Sequence, residues 1–436
     1  MFKKVFSTLV SKILYFFRSV IVILVTAITI GSVIAFFLWL LNIAIYYRFA
    51  HPRLLFLLPV AGVVIHYLYK LYGKSAERGN NLIIDEIHEP GAGVPKRMAP
   101  LILTTTIITH LFGGSAGREG TAVQIGGSMA HYFSGLFKLN REEKKTLLMA
   151  GVAAGFGAVF GTPLTGAIFA LEVVTIGRIN YMALLPCLVA GFTADATVSA
   201  WGIHHTAYHI NVVKTAIHNS SYLPFDLLLV SKVIIASAIF GAISMLFAKA
   251  THAVKNTAAK IIKTEWLIPV TGGLIIIALT MIIGKPDYLS LGVDAEHAGA
   301  VTIVSAFNNG GADILSWLWK LIYTAITLGT GFKGGEVTPL FYIGATLGNT
   351  IAQLLNAPIS LFAAIGFIAV FAGATNTPIA CTMLGVELFG GEHALLFAVA
   401  CFTAYLFSGS NGIYTPQPKS GAKYDTPYLR KLFNKY

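Results

Sequence analysis

Two glycine-rich segments of the chain each carry a glutamate directly before an apolar run. The first reads GGSAGREGTAVQIG over residues 113–126 and contains Glu119. The second reads GTGFKGGEVTPLFYIG over residues 329–344 and contains Glu336. Glycine turns let backbone N–H groups converge at a helix start, whose partial positive charge favours an anion. A carboxyl group at such a place can also bind a proton, so the pattern predicts coupled movement of an anion and a proton.

Each of these glutamates also has an ordinary structural interpretation. A carboxylate near a helix start caps the helix and stabilises it by ~0.3–1 kcal/mol, which alone would account for Glu119. Glu336 could be a loop acid or an ionic partner of Lys333. We favour the functional interpretation because both glutamates follow glycine turns and precede apolar helices. Glu119 is then the gating and proton-coupling group, and Glu336 is a proton relay.

A second repeated element makes an internal duplication evident. The segments 155–172 and 366–387 each combine a glycine, a Thr-Pro pair and an apolar run that contains a terminal glutamate, Glu172 or Glu387. Glu172 lies 53 residues after Glu119, and Glu387 lies 51 residues after Glu336. The near-constant spacing predicts two copies of one unit, which we place at 1–215 and 216–418, followed by a short basic tail at 419–436. Transporters built from such repeats bind substrate where the repeats meet.

The composition defines the class of protein that must position these residues. Hydrophobic residues make up 56% of the chain and charged residues 11%, compared with about 25% charged in soluble domains. The chain is therefore predicted to be an all-α polytopic membrane protein. The predicted apolar stretches are 19–46, 52–72, 99–112, 146–176, 181–203, 222–250, 266–284, 314–330, 338–355, 358–372 and 377–408.

The formal net charge of +12 is distributed over the termini and loops. It therefore fits the positive-inside bias of membrane proteins better than nucleic-acid binding. Basic residues cluster near both ends of the chain, which predicts cytoplasmic termini and an even number of crossings. The apolar N-terminal stretch is too long for a cleaved signal peptide. The three cysteines lie in apolar segments and imply neither disulfides nor a metal site.

The G-R-E-G turn, the G-x-x-x-P element at 335–339 and the two Thr-Pro segments together resemble the CLC family of anion channels and proton-coupled antiporters. The resemblance extends over nearly the whole chain. It implies the CLC fold of two inverted repeats with re-entrant and broken helices, and a homodimer with one pathway per subunit. It also implies multi-pass insertion in a bacterial plasma membrane, transport without covalent catalysis, and no cofactor or metal.

Four details resemble the fluoride/proton antiporter branch of that family. Thr121 follows the G-R-E-G turn where chloride-handling relatives usually have proline. Glu336 and Thr338 occupy positions that are usually apolar or small. Asn80 replaces the serine of the family's G-S-G-I-P element, with Ala92 as an alternative register. Val173 stands where proton-coupled chloride relatives carry their inner glutamate.

The resemblance also predicts an anion site. Its members are the backbone at the two glycine turns, the Thr338 hydroxyl, the Asn80 amide and the phenol of Tyr414. The backbone positions are Gly117, Arg118, Gly120, Gly335 and Val337. Ordinary alternatives are a turn residue for Asn80, a helix-start residue for Thr338 and a membrane-interface tyrosine for Tyr414. The predicted cargo is fluoride exchanged for protons, and chloride transport by the same fold is the alternative.

Three other interpretations deserve a test. Ser115 lies in a G-x-S-x-G pattern near His110, as in serine hydrolases, although no strand precedes it. His204, His205 and His209 could contribute to a zinc site, but no further ligand completes the set. A structural or receptor subunit with vestigial repeats is the third, and it would be inactive as a pure protein in vesicles.

Overall fold

The computed structural model describes residues 2–91, 93–210, 226–409, 412–417 and 423. This part of the chain forms fifteen α-helices joined by loops and by short 3₁₀ and π-helical turns, with isolated bridges but no strands. The helices are α1 (Phe2–Ala50), α2 (Leu58–Leu68), α3 (Asn80–His88), α4 (Met98–Leu111), α5 (Glu119–Leu136), α6 (Arg141–Phe160), α7 (Pro163–Glu172), α8 (Leu184–Ala200), α9 (Leu227–Ile261), α10 (Leu267–Ile283), α11 (Ser316–Gly329), α12 (Val337–Leu355), α13 (Ile359–Thr375), α14 (Pro378–Phe389) and α15 (Ala394–Phe407).

The helices break at equivalent places in the two repeats. Helix α6 ends just before Gly161 and helix α13 ends just before Asn376, and both of these residues adopt the left-handed conformation that terminates a helix. A threonine and a proline follow in each case, and the proline is the first residue of the next helix. Proline is tolerated there because its missing N–H would have no partner within the helix. The predicted stretch 146–176 is therefore a broken helix, and the equivalent break separates the predicted stretches 358–372 and 377–408.

The helices after the two glutamate turns pack against their neighbours through paired glycines. A Cβ atom on Gly126 of α5 would lie 2.1 Å from the Gly151 carbonyl oxygen of α6. A Cβ on Gly344 of α12 would lie 2.1 Å from the Gly366 carbonyl oxygen of α13. Only glycine permits this approach, so the Ile-Gly pair in each repeat marks the point where two helix backbones touch.

Aromatic rings fill the space between the two repeats. Phe156 of α6 and Phe371 of α13 are stacked with ring centroids 6.2 Å apart, and Phe169 of α7 stacks on both. Phe341 and Phe367 are stacked at 3.8 Å. Since these rings are buried, the two halves share one core.

Among the described residues, four helical stretches are long and apolar enough to cross a membrane, at Val10–Ala50, Pro52–His88, Tyr181–Ala200 and Leu227–Ile261. Helices α3 and α5 were not among the predicted apolar stretches, because polar residues interrupt both of them. The proposed repeat boundary at 215/216 lies outside the described residues. So does the basic tail, apart from Lys423.

Candidate anion site

The two glycine turns meet at the centre of the fold. The Gly117 N–H donates to the Gly335 carbonyl at 2.6 Å, and the Gly335 N–H donates to the Gly117 carbonyl at 2.8 Å. Neither position has room for a side chain, since a Cβ on Gly117 would lie 2.9 Å from the Glu119 Oε2 atom and a Cβ on Gly335 would lie 2.7 Å from the Gly120 nitrogen. This reciprocal pair places the N-terminus of α5 beside the N-terminus of α12.

The Glu119 carboxylate occupies the N-terminus of the opposite helix. Its Oε2 atom accepts hydrogen bonds from the Thr338 N–H at 3.0 Å and the Thr338 hydroxyl at 2.5 Å. It also accepts one from the Arg118 N–H at 3.1 Å. Its Oε1 atom has no hydrogen-bond partner and lies 3.6 Å from the Arg118 Nε atom. These are donors that a small desolvated anion would use, and Glu119 is only 1% exposed.

A third helix start converges on the same place. Helix α3 begins at Asn80, whose Nδ2 atom would lie 3.2 Å from a Cβ on Gly120. The Asn80 Oδ1 atom is buried without a hydrogen-bond partner. Asn80 therefore lies beside the glutamate turns as the sequence predicted, while the alternative residue Ala92 lies outside the described residues.

Glu336 is not the structural counterpart of Glu119. Glu336 is the residue preceding α12, as Arg118 is the residue preceding α5, whereas Glu119 is the first residue of its helix and corresponds to Val337. The equivalence drawn from the sequence is therefore wrong by one position, because it aligned residue types rather than helix starts. The Glu336 side chain does not cap α12, and the Val337 side chain is buried.

Tyr414 is buried in the neighbourhood of both glutamates. Its phenol is 5% exposed and lies close enough to Glu119 and Glu336 to sense the charge of both. The predicted site residues in the described part of the chain thus all lie around the meeting point of the two turns or next to it. They are Asn80, Gly117, Arg118, Glu119, Gly120, Gly335, Glu336, Val337, Thr338 and Tyr414.

Glu172 of the first repeat caps a helix of the second repeat, and Glu387 of the second repeat caps a helix of the first. The Glu172 carboxylate accepts from the N–H groups of Ile379 and Ala380 at the start of α14, at 3.0 and 2.8 Å. The Glu387 carboxylate accepts from the N–H groups of Leu164 and Thr165 at the start of α7, at 3.0 and 2.7 Å. The sequence showed the repetition of these glutamates but gave no sign of this exchange.

Gln417 is a buried residue near the site that sequence reasoning missed. Its side-chain nitrogen donates to the carbonyl oxygens of Val173 at 2.9 Å and Thr375 at 2.8 Å. Its oxygen accepts from Asn376 at 3.0 Å. Gln417 thus binds the backbone at Val173 and holds the segment after Tyr414 against both repeats. No sequence signal distinguishes this glutamine from a tail residue.

The hydrolase and zinc interpretations lack the contacts that they need. The Ser115 hydroxyl pairs with Thr324 at 3.0 Å, and the His110 ring pairs with Ser290 at 2.9 Å, so they are not a serine–histidine pair. His205 lies 3.8 Å from the Asp195 carboxylate. Among the described residues, no three histidine, cysteine, aspartate or glutamate side chains come together as a metal site.

The described residues form a helical core in which the two repeats contact each other reciprocally, and the Glu119 side chain of one repeat lies at a helix start of the other. These features define a membrane protein of the inverted-repeat transporter type. The chain belongs to the voltage-gated chloride channel family, whose profile matches residues 61–409. This assignment confirms the CLC resemblance and the all-α fold predicted from the sequence.

The chain is also similar in sequence to individual bacterial transport proteins. The chain is 47% identical over 407 residues to the chloride/fluoride channel protein of Pseudomonas syringae pv. tomato, covering 93% of this chain and 87% of that protein. It is 25% identical over 356 residues to the H(+)/Cl(−) exchange transporter ClcA of Vibrio cholerae, covering 74% and 73%.

The chain is also similar in fold to solved structures of transporters. The crystal structure of a CLC-type fluoride/proton antiporter superposes with a TM-score of 0.84 at 34% identity, covering 93% of this chain and 98% of that one. A slow cyanobacterial Cl−/H+ antiporter superposes with a TM-score of 0.73 at 19% identity, which shows the shared fold alone.

Proposed function

We propose that this protein exports fluoride from the cytoplasm in exchange for protons. The observation that carries the proposal is the Glu119 carboxylate held by the Thr338 N–H and hydroxyl at the start of α12. A fluoride ion can accept the same hydrogen bonds once the carboxylate leaves. Protonation removes the charge that holds Glu119 there, so the arrival of a proton and the binding of an anion become linked.

The identity of the anion is proposed from the donors around the site and from the relatives. Fluoride is small and strongly hydrated, so it needs close hydrogen-bond donors to replace its water. The Thr338 hydroxyl and the Asn80 amide lie next to the backbone N–H groups and supply such donors. The 47% identical relative is a chloride/fluoride channel protein, and the 34% identical structure is that of a fluoride/proton antiporter.

Glu336 and Tyr414 complete the proposed mechanism. Glu336, the residue before α12, relays protons, and Tyr414 donates its hydroxyl to the anion or to a protonated glutamate. Transport needs no covalent intermediate and no cofactor in this scheme. The anion-binding backbone belongs to Gly117, Arg118, Gly120, Gly335 and Val337.

The cellular setting follows from the relatives and the charges. The relatives named above are bacterial, and we place the protein in the bacterial plasma membrane as a homodimer with one pathway per subunit. The positive-inside bias puts both termini, the turn after α2 and the end of α9 in the cytoplasm, since each is rich in lysine and arginine.

Flux from proteoliposomes tests the proposal directly. Fluoride and chloride efflux are followed with ion-selective electrodes while pH is recorded in the same vesicles. Fluoride efflux accompanied by proton uptake, with much slower chloride efflux, supports the proposal. Chloride efflux at the fluoride rate favours a chloride channel or chloride/proton antiporter instead, as in the ClcA relative. Inactive pure protein favours a structural or receptor role.

A further inference from the structure

We propose that a lysine-lined cavity beneath the second glycine turn is the cytoplasmic access site where fluoride collects before it reaches Glu119. This inference rests on the proposed function and adds a binding site to it. The cavity has a volume of about 370 Å³ and lies among α2, α9, α10 and residues 329–333. Its charged lining comprises Lys70, Lys255, Lys333, Glu77 and Glu265, and His66 also faces it.

The charges of this cavity favour an anion. Three lysines against two glutamates leave one positive charge. Lys70 lies 3.8 Å from Glu265, and these two side chains neutralise each other. Lys255 and Lys333 then face Glu77 alone, so a second anion is needed to balance them.

The cavity adjoins the turn that leads to the transport site, since residues 329–331 and Lys333 line it. Lys333 lies three residues before Glu336, and its ammonium group lies 4.2 Å from the centre of the Tyr69 ring. This contact holds the side chain at the wall of the cavity. Lys255 is close enough to Glu336 for their charges to interact. The lysines of the cavity thus lie close to the residue that precedes α12.

The opposite end of the molecule carries the opposite charge. A small cavity there is lined by Arg48 and by the carboxylates of Asp287, Asp294 and Glu296. One arginine against three carboxylates leaves two negative charges. Helix α10 runs from the lysine-lined cavity to this acidic one, because Pro269 lines the first and Pro286, just after the helix, lines the second.

The opposite charges of the two cavities suit the export of fluoride. The lysine-lined cavity adjoins the basic end of α9, which the positive-inside rule places in the cytoplasm. A positive cavity raises the local anion concentration on the side from which fluoride departs. The negative cavity on the other side attracts protons and repels the released anion. The lysine-lined cavity thereby favours fluoride and the acidic cavity favours protons, which are the two ions of the proposed exchange.

Charge replacement at Lys255 tests the site. Lys255→Cys should raise the fluoride concentration needed for half-maximal efflux by roughly two- to tenfold while leaving the maximal rate unchanged. A membrane-impermeant methanethiosulfonate that adds a trimethylammonium group should restore the original value. One that adds a sulfonate should raise it further. The native cysteines are buried, so wild-type protein treated with both reagents is the control for them.

Lys260→Cys is the matched control variant. Lys260 is exposed on the same end of α9 but does not line the cavity. Lys333→Met is a second test, because methionine retains an apolar contact with Tyr69 without the charge. Its effect should shrink in high salt, since the screening length falls from about 10 Å at 0.1 M to about 3 Å at 1 M.

The outcomes separate this inference from the proposed function. An unchanged half-saturation value in Lys255→Cys with either reagent overturns the access site, as does an equal response of Lys260→Cys. Wild-type fluoride/proton exchange in the same vesicles would then still stand. If wild-type vesicles carry chloride instead, a charge-dependent half-saturation for chloride supports the cavity and rejects only the fluoride assignment.

Discussion

At the scale of single residues, Glu119 occupies the helix start at which we propose that the transported anion binds. Its carboxylate is held by three donors through one oxygen, while its other oxygen has no hydrogen-bond partner. A group held through one oxygen at a helix start can be displaced once it loses its charge. The same contacts that keep the carboxylate in place therefore define the competition between proton and anion.

Replacement of Glu119 by glutamine tests that competition. The amide cannot take up and release a proton, so Glu119→Gln should abolish fluoride-driven proton uptake in proteoliposomes. Glu142→Gln is a matched control, since Glu142 is an exposed carboxylate at the start of α6. Proton uptake at the wild-type rate in Glu119→Gln would remove this residue from the coupling mechanism.

Thr338 should contribute through its hydroxyl. Thr338→Val keeps the shape of the side chain but removes a donor to a charged group, which is worth about 1.5–3 kcal/mol. We expect fluoride binding to weaken by roughly 10- to 100-fold in a calorimetric titration. Thr338→Ser retains the donor and should bind fluoride nearly as well as the wild type. Equal affinities for the valine and serine variants would contradict a role for the hydroxyl.

At the scale of helices, the exchanged caps of α7 and α14 join the repeats. Glu172→Ala and Glu387→Ala each leave two helix-start N–H groups without their acceptor, at a cost of about 1–3 kcal/mol. Denaturant unfolding in mixed micelles should report this loss. Glu142→Ala should change stability by less than about 1 kcal/mol, because its ion pair with Lys145 is at the surface.

The two capping glutamates should also be coupled to each other. Each lies at the end of the helix whose start the other one caps, so a movement of either helix disturbs both contacts. We expect the double variant to differ from the sum of the single variants by more than about 0.5 kcal/mol. Strict additivity would mean that the two caps act as independent local contacts.

The helices illustrate what the sequence could and could not predict. Hydrophobic stretches located most of the helices, and the Thr-Pro pairs marked where two of them break. The glycine turns predicted that Glu119 would lie at a helix start. The sequence did not reveal that its carboxylate reaches the start of α12, because the pairing of Gly117 with Gly335 depends on contacts across more than 200 residues.

The residue-by-residue alignment of the two glycine turns could not be predicted from the sequence either. Spacing alone matched Glu119 with Glu336, but the helix starts match Arg118 with Glu336. A cation and a carboxyl group therefore occupy equivalent positions in the two repeats. Gln417 was missed for a related reason, since its contacts to Val173 and Thr375 come from a segment with no periodicity.

At the scale of the whole molecule, the exchange should be driven by voltage as well as by pH. A fluoride ion leaving and a proton entering both move charge in the direction that an interior-negative potential favours. With about 2.3 kcal/mol per charge per 100 mV, two charges provide roughly 4.6 kcal/mol, or about three decades of fluoride gradient. Such a driving force is enough to keep cytoplasmic fluoride far below the external level.

The reversal potential distinguishes this mechanism from a channel. For one-to-one exchange, each tenfold change in the fluoride gradient should shift the potential of zero flux by about 30 mV, since two charges move in each cycle. A tenfold change in the proton gradient should shift it by the same amount. A fluoride channel would instead shift by about 60 mV per decade of fluoride and ignore pH. Valinomycin-clamped proteoliposomes provide the measurement, and a pH-independent reversal potential would contradict antiport because the proton gradient would then do no work on the anion.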